Sequence, residues 1–237
     1  MRAILLAAGM GTRLRPLTEN TPKSLVKILG EPMLERQVRF LKDKGINEII
    51  VVTGYLNDKF SYLIDKFDLK IIHNSKYDVY NNIYTMYLVR EYLKDAYVID
   101  SDVYINNNIF EENPIESKYY SAKKTGFKDE WMIISDEEGK VLDIEIGTKE
   151  EAYILSGVSY WTKEEGEFIV GQLEKVVESG EFSNLYWDDI VRQNLSNIDI
   201  HIKKIKTNDI FEIDTIEDYN NLNNILKSLN ENVGGKY

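Results

Sequence analysis

Apolar positions in the first hundred residues fall alternately into short continuous runs and into helical spacing. Ala3–Ala7 is an unbroken apolar run, read as a buried strand that begins at Arg2 and stops before Gly9 and Gly11. Met33–Lys44 carries apolar residues at helical spacing and is closed by Gly45, and Glu48–Thr53 ("EIIVVT") is the next strand, which together make a βαβ unit. The pattern then predicts a short amphipathic helix over Asn57–Lys66, a strand over Leu69–His73, a helix over Asn82–Leu93 and a strand over Ala96–Ile99 ahead of an acidic turn. From about Ser117 strand-like pieces follow one another: "YYSAKKT", "WMIIS", "KVLDIEI" and "LSGVSYW". Helices are expected over Glu164–Glu178 and Asp189–Leu195, then a strand over His201–Ile205, the segment "FEID", and a terminal helix over Ile216–Leu229. The alternation predicts the α/β class. With no linker and no internal repeat, one domain is expected over 1–230, and 231–237 is expected to be a frayed tail.

Composition narrows the function classes. The 237 residues are 43% hydrophobic, enough for a sizeable core, and no run approaches eighteen apolar residues, so no membrane insertion is expected. Net charge is −11, with Lys and Arg scattered or gathered in the N-terminal loop, which argues against nucleic acid as a partner. The opening apolar run is short and leads into Gly11, Arg13 and Arg15 rather than a cleavage site, so it is not read as a secretory signal. The absence of cysteine excludes disulfides, thiolate metal sites and Cys nucleophiles, and a cytoplasmic location is expected. Oligomeric state is not legible.

The stretch "LLAAGMGTRLRPLTENTPKSL", Leu5–Leu25, carries the chemistry. Glycines let backbone N–H groups approach a phosphate chain, and a concave set of such donors prefers anions. Arg13 and Lys23 add positive charge where negative charge builds on a reacting phosphate. A bare GxG after a strand is also a plain tight turn, but here it continues through "TRLRPLT" to "PK".

That string resembles the signature of the nucleotidyltransferases that activate sugar phosphates and small alcohol phosphates with an NTP. Further strings, "YNNIYTMYLV", "YVIDSDVY", "ILSGVSYW", "GEFSNLYWDD" and "FEIDTIEDY", make the chain similar to the bacterial choline-phosphate cytidylyltransferases over nearly its whole length. The resemblance implies a three-layer, Rossmann-like fold with a mixed, mainly parallel central sheet. It implies transfer of CMP from CTP to phosphocholine, giving CDP-choline and pyrophosphate. Nucleotide-binding positions would be Leu6, Ala7, Ala8, Gly9, Gly11, Thr12, Arg13 and Lys23 in the loop, with Tyr80, Asn81 and Asn82 reading the base.

Asp102 and Asp214 match the family's Mg²⁺-binding aspartates; Asp100 competes for that role and Glu212 is a possible outer-shell partner. Arg13, Lys23, Asp102 and Asp214 are therefore the catalytic candidates. Lys149 falls at the family's acceptor-phosphate lysine, and Trp131, Tyr186 and Asp189 are candidates for a cage around a quaternary ammonium. His73 and His201, the chain's two histidines, sit in strand-like contexts and read as structural. Aminoethylphosphonate, phosphoethanolamine or a sugar 1-phosphate are alternative acceptors, and a non-catalytic nucleotide or CDP-choline sensor is the alternative class.

Overall fold

The computed structural model describes residues 1–234. The opening apolar run forms β1 (Arg2–Ala7), followed by a loop of two 3-10 turns, a two-residue hairpin of β2 (Lys27–Ile28) and β3 (Glu31–Pro32), and helix α1 (Met33–Asp43). Next come β4 (Glu48–Thr53), α2 (Tyr62–Phe67), β5 (Lys70–His73), α3 (Asn82–Leu88), β6 (Ala96–Asp100) and β7 (Val103–Ile105). The second half holds β8 (Ser117–Thr125), β9 (Glu130–Ser135), β10 (Val141–Gly147), β11 (Glu151–Tyr153), β12 (Val158–Trp161), α4 (Lys163–Ser179), α5 (Trp187–Gln193), β13 (Ile200–Ile205), β14 (Ile210–Glu212) and α6 (Ile216–Gly234).

The main sheet has eight strands in the order β11-β8-β12-β6-β1-β4-β5, with β13 added beside β8. β1, β4, β5 and β6 run parallel, β12 lies antiparallel between β6 and β8, and β13 pairs parallel with β8. The sheet is thus mixed and mainly parallel. Side chains alternate across a strand, so β1 feeds two cores at once. Ala3, Leu5 and Ala7 pack with Ile49 and Val51 against Leu34, Val38 and Leu41 of α1 and Leu63 of α2. Ile4 and Leu6 pack with Ile50 and Val52 in the opposite core, which takes in Met86 of α3, Ile169 and Leu173 of α4 and Ile190 of α5. Helices on both faces of one sheet make three layers.

A third, smaller core seats α6. Leu222 and Leu226 pack with Leu14 and Val26 of the opening loop, with Tyr104 of β7 and with Ile213, which follows β14. This helix therefore fixes the N-terminal loop against the strands that carry the acidic residues.

Several boundaries differ from the sequence reading. The helix expected over Asn57–Lys66 is a 3-10 turn, Asn57–Phe60, followed by α2, because over one or two turns the two helix types share the same apolar spacing. The helix expected to Leu93 ends at Leu88 and resumes as a 3-10 turn after Val89, whose φ of −117° and ψ of 12° lie outside the helical region and interrupt it. α5 starts at Trp187 rather than Asp189, since Asp189 belongs to its cap. α6 continues past Leu229 to Gly234, so residues 231–234 of the expected frayed tail are helical, with the first glycine after Leu229 standing at the described end. Residues 235–237 lie outside the described residues.

Candidate active site

β1 ends at Ala7 and the chain turns through the glycine loop. Gly11 takes a left-handed φ of 58°, and a Cβ there would stand 2.8 Å from Cβ of Lys23. Only glycine meets both demands, which lets the returning loop bring Lys23 back over β1. Thr18 Oγ1 donates to the Gly11 carbonyl at 2.7 Å and holds that bend.

The Lys23 side chain is only 13% exposed, and its Nζ lies 2.9 Å from Asp102 Oδ2 and 2.6 Å from Asp214 Oδ1. The Arg13 guanidinium reaches the same Asp214 oxygen at 3.0 Å. Two carboxylates far apart in sequence thus converge on one ammonium. Burial alone would lower the Lys23 pKa, but the two carboxylates outweigh it and hold the group above its ordinary value. For Asp214, burial pushes upward and Lys23 and Arg13 pull harder downward, so its carboxyl lies below the usual range.

Backbone bonds lock the two aspartates together. Asp102 sits in the turn between β6 and β7, where Ser101 Oγ donates to the Leu6 carbonyl at 2.7 Å. The Asp102 carbonyl accepts from Ile213 N at 3.1 Å, and β7 pairs antiparallel with β14. Asp214 directly precedes the cap of α6, in which Asp218 Oδ2 accepts from Thr215 N at 2.8 Å and from Asp214 N at 3.2 Å. No group of three or more His, Cys, Asp or Glu side chains arranged to hold a metal occurs among the described residues. Two carboxylates drawn to one ammonium nonetheless define a cation position, and a hard divalent ion that completes its shell with phosphate oxygens and water fits two protein oxygens. Asp100 and Glu212 flank this position. Burial, then the neighbouring carboxylates, raises both; Glu212 is pushed up to about 7.

These groups form one end of a cavity of about 510 Å³ that opens beyond the carboxyl ends of β1 and β6. Leu6, Ala7, Ala8 and Gly9 line it, as do Arg13 and Lys23. Tyr80, Asn81 and Asn82 line it at the start of α3. Gly11 and Thr12 do not face it; they shape the loop. Gly54 lies behind it, where a Cβ would stand 2.6 Å from the Ala8 carbonyl oxygen and 2.5 Å from Tyr77 Cβ, so Tyr77 closes down onto the loop.

The other end is aromatic and acidic. Trp131, on β9, meets Tyr186 edge to face at 6.2 Å between ring centroids, and both line the cavity with Trp187 and Asp188. Trp161 is fully buried and packs edge to face on Trp187, so it belongs to the core.

Of the two acids in "YWDD" it is Asp188 that lines the cavity, where Asp189 was expected. Asp189 Oδ2 accepts from Tyr186 N at 2.8 Å as the third residue of α5's capping box. Asp188 Oδ1 instead accepts from Tyr119 OH at 2.9 Å. Its pKa is pushed up to about 7, by burial above all, against the Tyr119 hydrogen bond and with the Asp189 charge. A capping box places its acid three residues after the cap, and applying that rule to "YWDD" leaves Asp188 as the acid outside the cap. Lys149 also stands apart from the cavity, paired with Glu145 at 3.2 Å. Neither His73 nor His201 lines it.

Asn81 and Asn82 turn out to bridge the two ends. Asn81 Nδ2 donates to the Asn184 carbonyl at 3.1 Å, and Asn82 Oδ1 accepts from Trp187 N at 3.0 Å. The segment read for base contact therefore also tethers the loop that carries Tyr186, Trp187 and Asp188.

The nucleotidyl transferase family model matches residues 2–139. A choline-phosphate cytidylyltransferase of Streptococcus pneumoniae is 46% identical over 230 residues, which is 97% of this chain and 100% of that protein. One from Haemophilus influenzae is 39% identical over 224 residues, 94% of this chain and 96% of that protein. A solved structure of CTP:phosphocholine cytidylyltransferase from Streptococcus pneumoniae matches with a TM-score of 0.93 and 45% identity, over 95% of this chain and 98% of that one. A family match over more than half the chain, with relatives aligned along nearly all of theirs and a glycine loop, lysine and paired aspartates drawn together at the sheet's edge, means that this chain belongs to the nucleotidyl transferase family.

Proposed function

We propose that this protein is a CTP:phosphocholine cytidylyltransferase. The observation that carries the reading is the two-ended cavity: a cationic loop and paired aspartates at one end, and Trp131, Tyr186, Trp187 and Asp188 at the other. A trimethylammonium head donates no N–H hydrogen bond, so aromatic faces and a carboxylate are what recognise it. The chain's similarity to the two choline-phosphate cytidylyltransferases supports the same assignment and supports CTP as the nucleotide.

In the reaction, a phosphate oxygen of phosphocholine bonds to the α-phosphorus of CTP while the bond from that phosphorus to the bridging oxygen breaks and pyrophosphate leaves. A phosphomonoester has its second pKa near about 6, so at neutral pH the attacking group is already largely dianionic. No protein base is needed, in keeping with a cavity that no histidine lines. The protein's task is to bring two anions together. The loop backbone at Ala8 and Gly9 approaches the phosphates, Lys23 and Arg13 oppose their charge, and Trp131, Tyr186 and Asp188 hold the choline head. Asp102 and Asp214 would hold Mg²⁺, which when bound polarises phosphate oxygens and neutralises their charge.

A pyrophosphate-release assay that crosses the four NTPs with phosphocholine, phosphoethanolamine, 2-aminoethylphosphonate and glucose 1-phosphate tests the assignment. CTP with phosphocholine is expected to give the highest kcat/KM. A preference for a primary-amine acceptor or a sugar phosphate would replace it.

A further inference from the structure

The turn that presents Asp102 is held from behind by a side chain outside the cavity. Gln37 lies on the sheet-facing side of α1 and is completely buried. Its Nε2 donates to the Val103 carbonyl at 2.7 Å and to the Asp100 carbonyl at 3.2 Å. Those two carbonyls flank Ser101 and Asp102, so one amide spans the whole turn. Both partners only accept, which fixes the nitrogen toward the turn and leaves Gln37 Oε1 buried with no partner. An unmade buried acceptor is destabilising, and methionine would fill nearly the same volume without one.

The neighbouring residue extends the grip. Arg36 donates from Nε to the Ile105 carbonyl at 2.6 Å and from its guanidinium to the Asn106 carbonyl at 2.7 Å. On its other side the turn is fixed by Ser101 on Leu6 and by Ile213 N on the Asp102 carbonyl. Gln37 is the only one of these groups that grips both ends of the turn carrying the carboxylate.

We infer that Gln37 is a positioning residue: it sets where the Asp102 carboxylate stands relative to Lys23 and Asp214, and through it the affinity for the nucleotide–cation pair. The inference rests on Asp102 and Asp214 being the cation ligands.

CTP binding measured calorimetrically on the whole protein, once with excess Mn²⁺ and once with EDTA, tests it without turnover. Four variants are compared with wild type: Gln37→Met, Gln37→Asn, Val38→Ala and Asp102→Asn. Wild type is expected to bind CTP more tightly with Mn²⁺. Gln37→Met should lose roughly 10-fold to 100-fold of that affinity with Mn²⁺, as groups orienting a metal ligand do, while its affinity in EDTA stays at the wild-type value. Val38→Ala, at a fully buried neighbour on the same helix whose side chain makes no hydrogen bond to the turn, should lower the melting temperature and keep the Mn²⁺ gain. Gln37→Asn is too short to span the turn and should lose part of the gain; it carries the test if the methionine variant does not fold. An unchanged gain in folded Gln37→Met or Gln37→Asn, or an equal loss in Val38→Ala, overturns the inference. Asp102→Asn separates the two levels: if it keeps the wild-type gain, the cation reading fails and the inference with it; if it abolishes the gain while Gln37→Met keeps it, only the inference fails.

Discussion

At the scale of single residues the site turns on Lys23 and the two aspartates it bridges at 2.9 and 2.6 Å. Asp102→Asn and Asp214→Asn are expected to fold, by circular dichroism, and to lose orders of magnitude in turnover even at saturating divalent cation. Lys23→Ala should cost about 2.7–4 kcal/mol of transition-state stabilisation, a loss of roughly a hundred- to thousandfold in kcat; less than tenfold would make Lys23 peripheral. Asp188 gives a pH signature. With its pKa pushed up to about 7, it is largely neutral below that pH and charged above it. Choline has no phosphate to titrate, so as a competitive inhibitor it should bind more weakly as pH falls through about 7, and Asp188→Asn should flatten the profile. The same dependence in Asp188→Asn would assign the titration elsewhere. The loop cations stand out in the sequence because they belong to the string that runs from "GMGTRLRPLT" to "PK" behind the opening strand, and the two aspartates because the family resemblance singles them out behind short apolar runs. Asp188 was hidden by its neighbour, since either acid of a pair at a helix start can serve the cap and only the rule of spacing tells them apart. Lys149 shows the reverse case, a motif position whose side chain pairs on the surface with Glu145.

At the scale of elements, the starts of α3 and α5 are joined by Asn82 Oδ1 accepting from Trp187 N. Asn82→Ala removes the acceptor that caps that N–H. By the worth of helix caps it should destabilise the protein by about 0.5–2 kcal/mol, read as a lower melting temperature. It should also raise KM for phosphocholine, because the freed loop carries Tyr186 and Asp188. A variant with wild-type stability and wild-type KM would make the tether incidental. Of the elements themselves, β1, β4 and β6 were plain in sequence because strands buried on both faces read as continuous apolar runs. β7 and β11, three residues each, were too short to show a period, and β14 showed only as the short segment "FEID". Yet the β7–β14 pair is what brings Asp102 to Asp214. Pairing partners distant in sequence leave no local trace, so the site's residues were readable while the hinge between them was not.

At the scale of the whole molecule, a chain of net charge −11 must hold two anionic reactants. It does so by gathering Arg13 and Lys23 at the carboxyl edge of the sheet, with α6 packing the loop against β7 and β14. The α/β class and its layering followed from alternating periods in the sequence. The strand order did not, since β12 enters antiparallel between β6 and β8 and no spacing announces it. In the proposed function one cavity receives the nucleotide at its loop end and the choline head at its aromatic end. Trp131→Ala tests it most directly, with kcat/KM for phosphocholine and for 2-aminoethylphosphonate measured alongside the dissociation constant of CTP. A desolvated cation–π contact is worth about 2 kcal/mol, so kcat/KM for phosphocholine should fall roughly thirtyfold. The loss for the primary-amine acceptor should be smaller, and CTP should bind as it does to wild type. If Trp131→Ala weakens CTP as much as phosphocholine, the two ends are not separate and the account is contradicted.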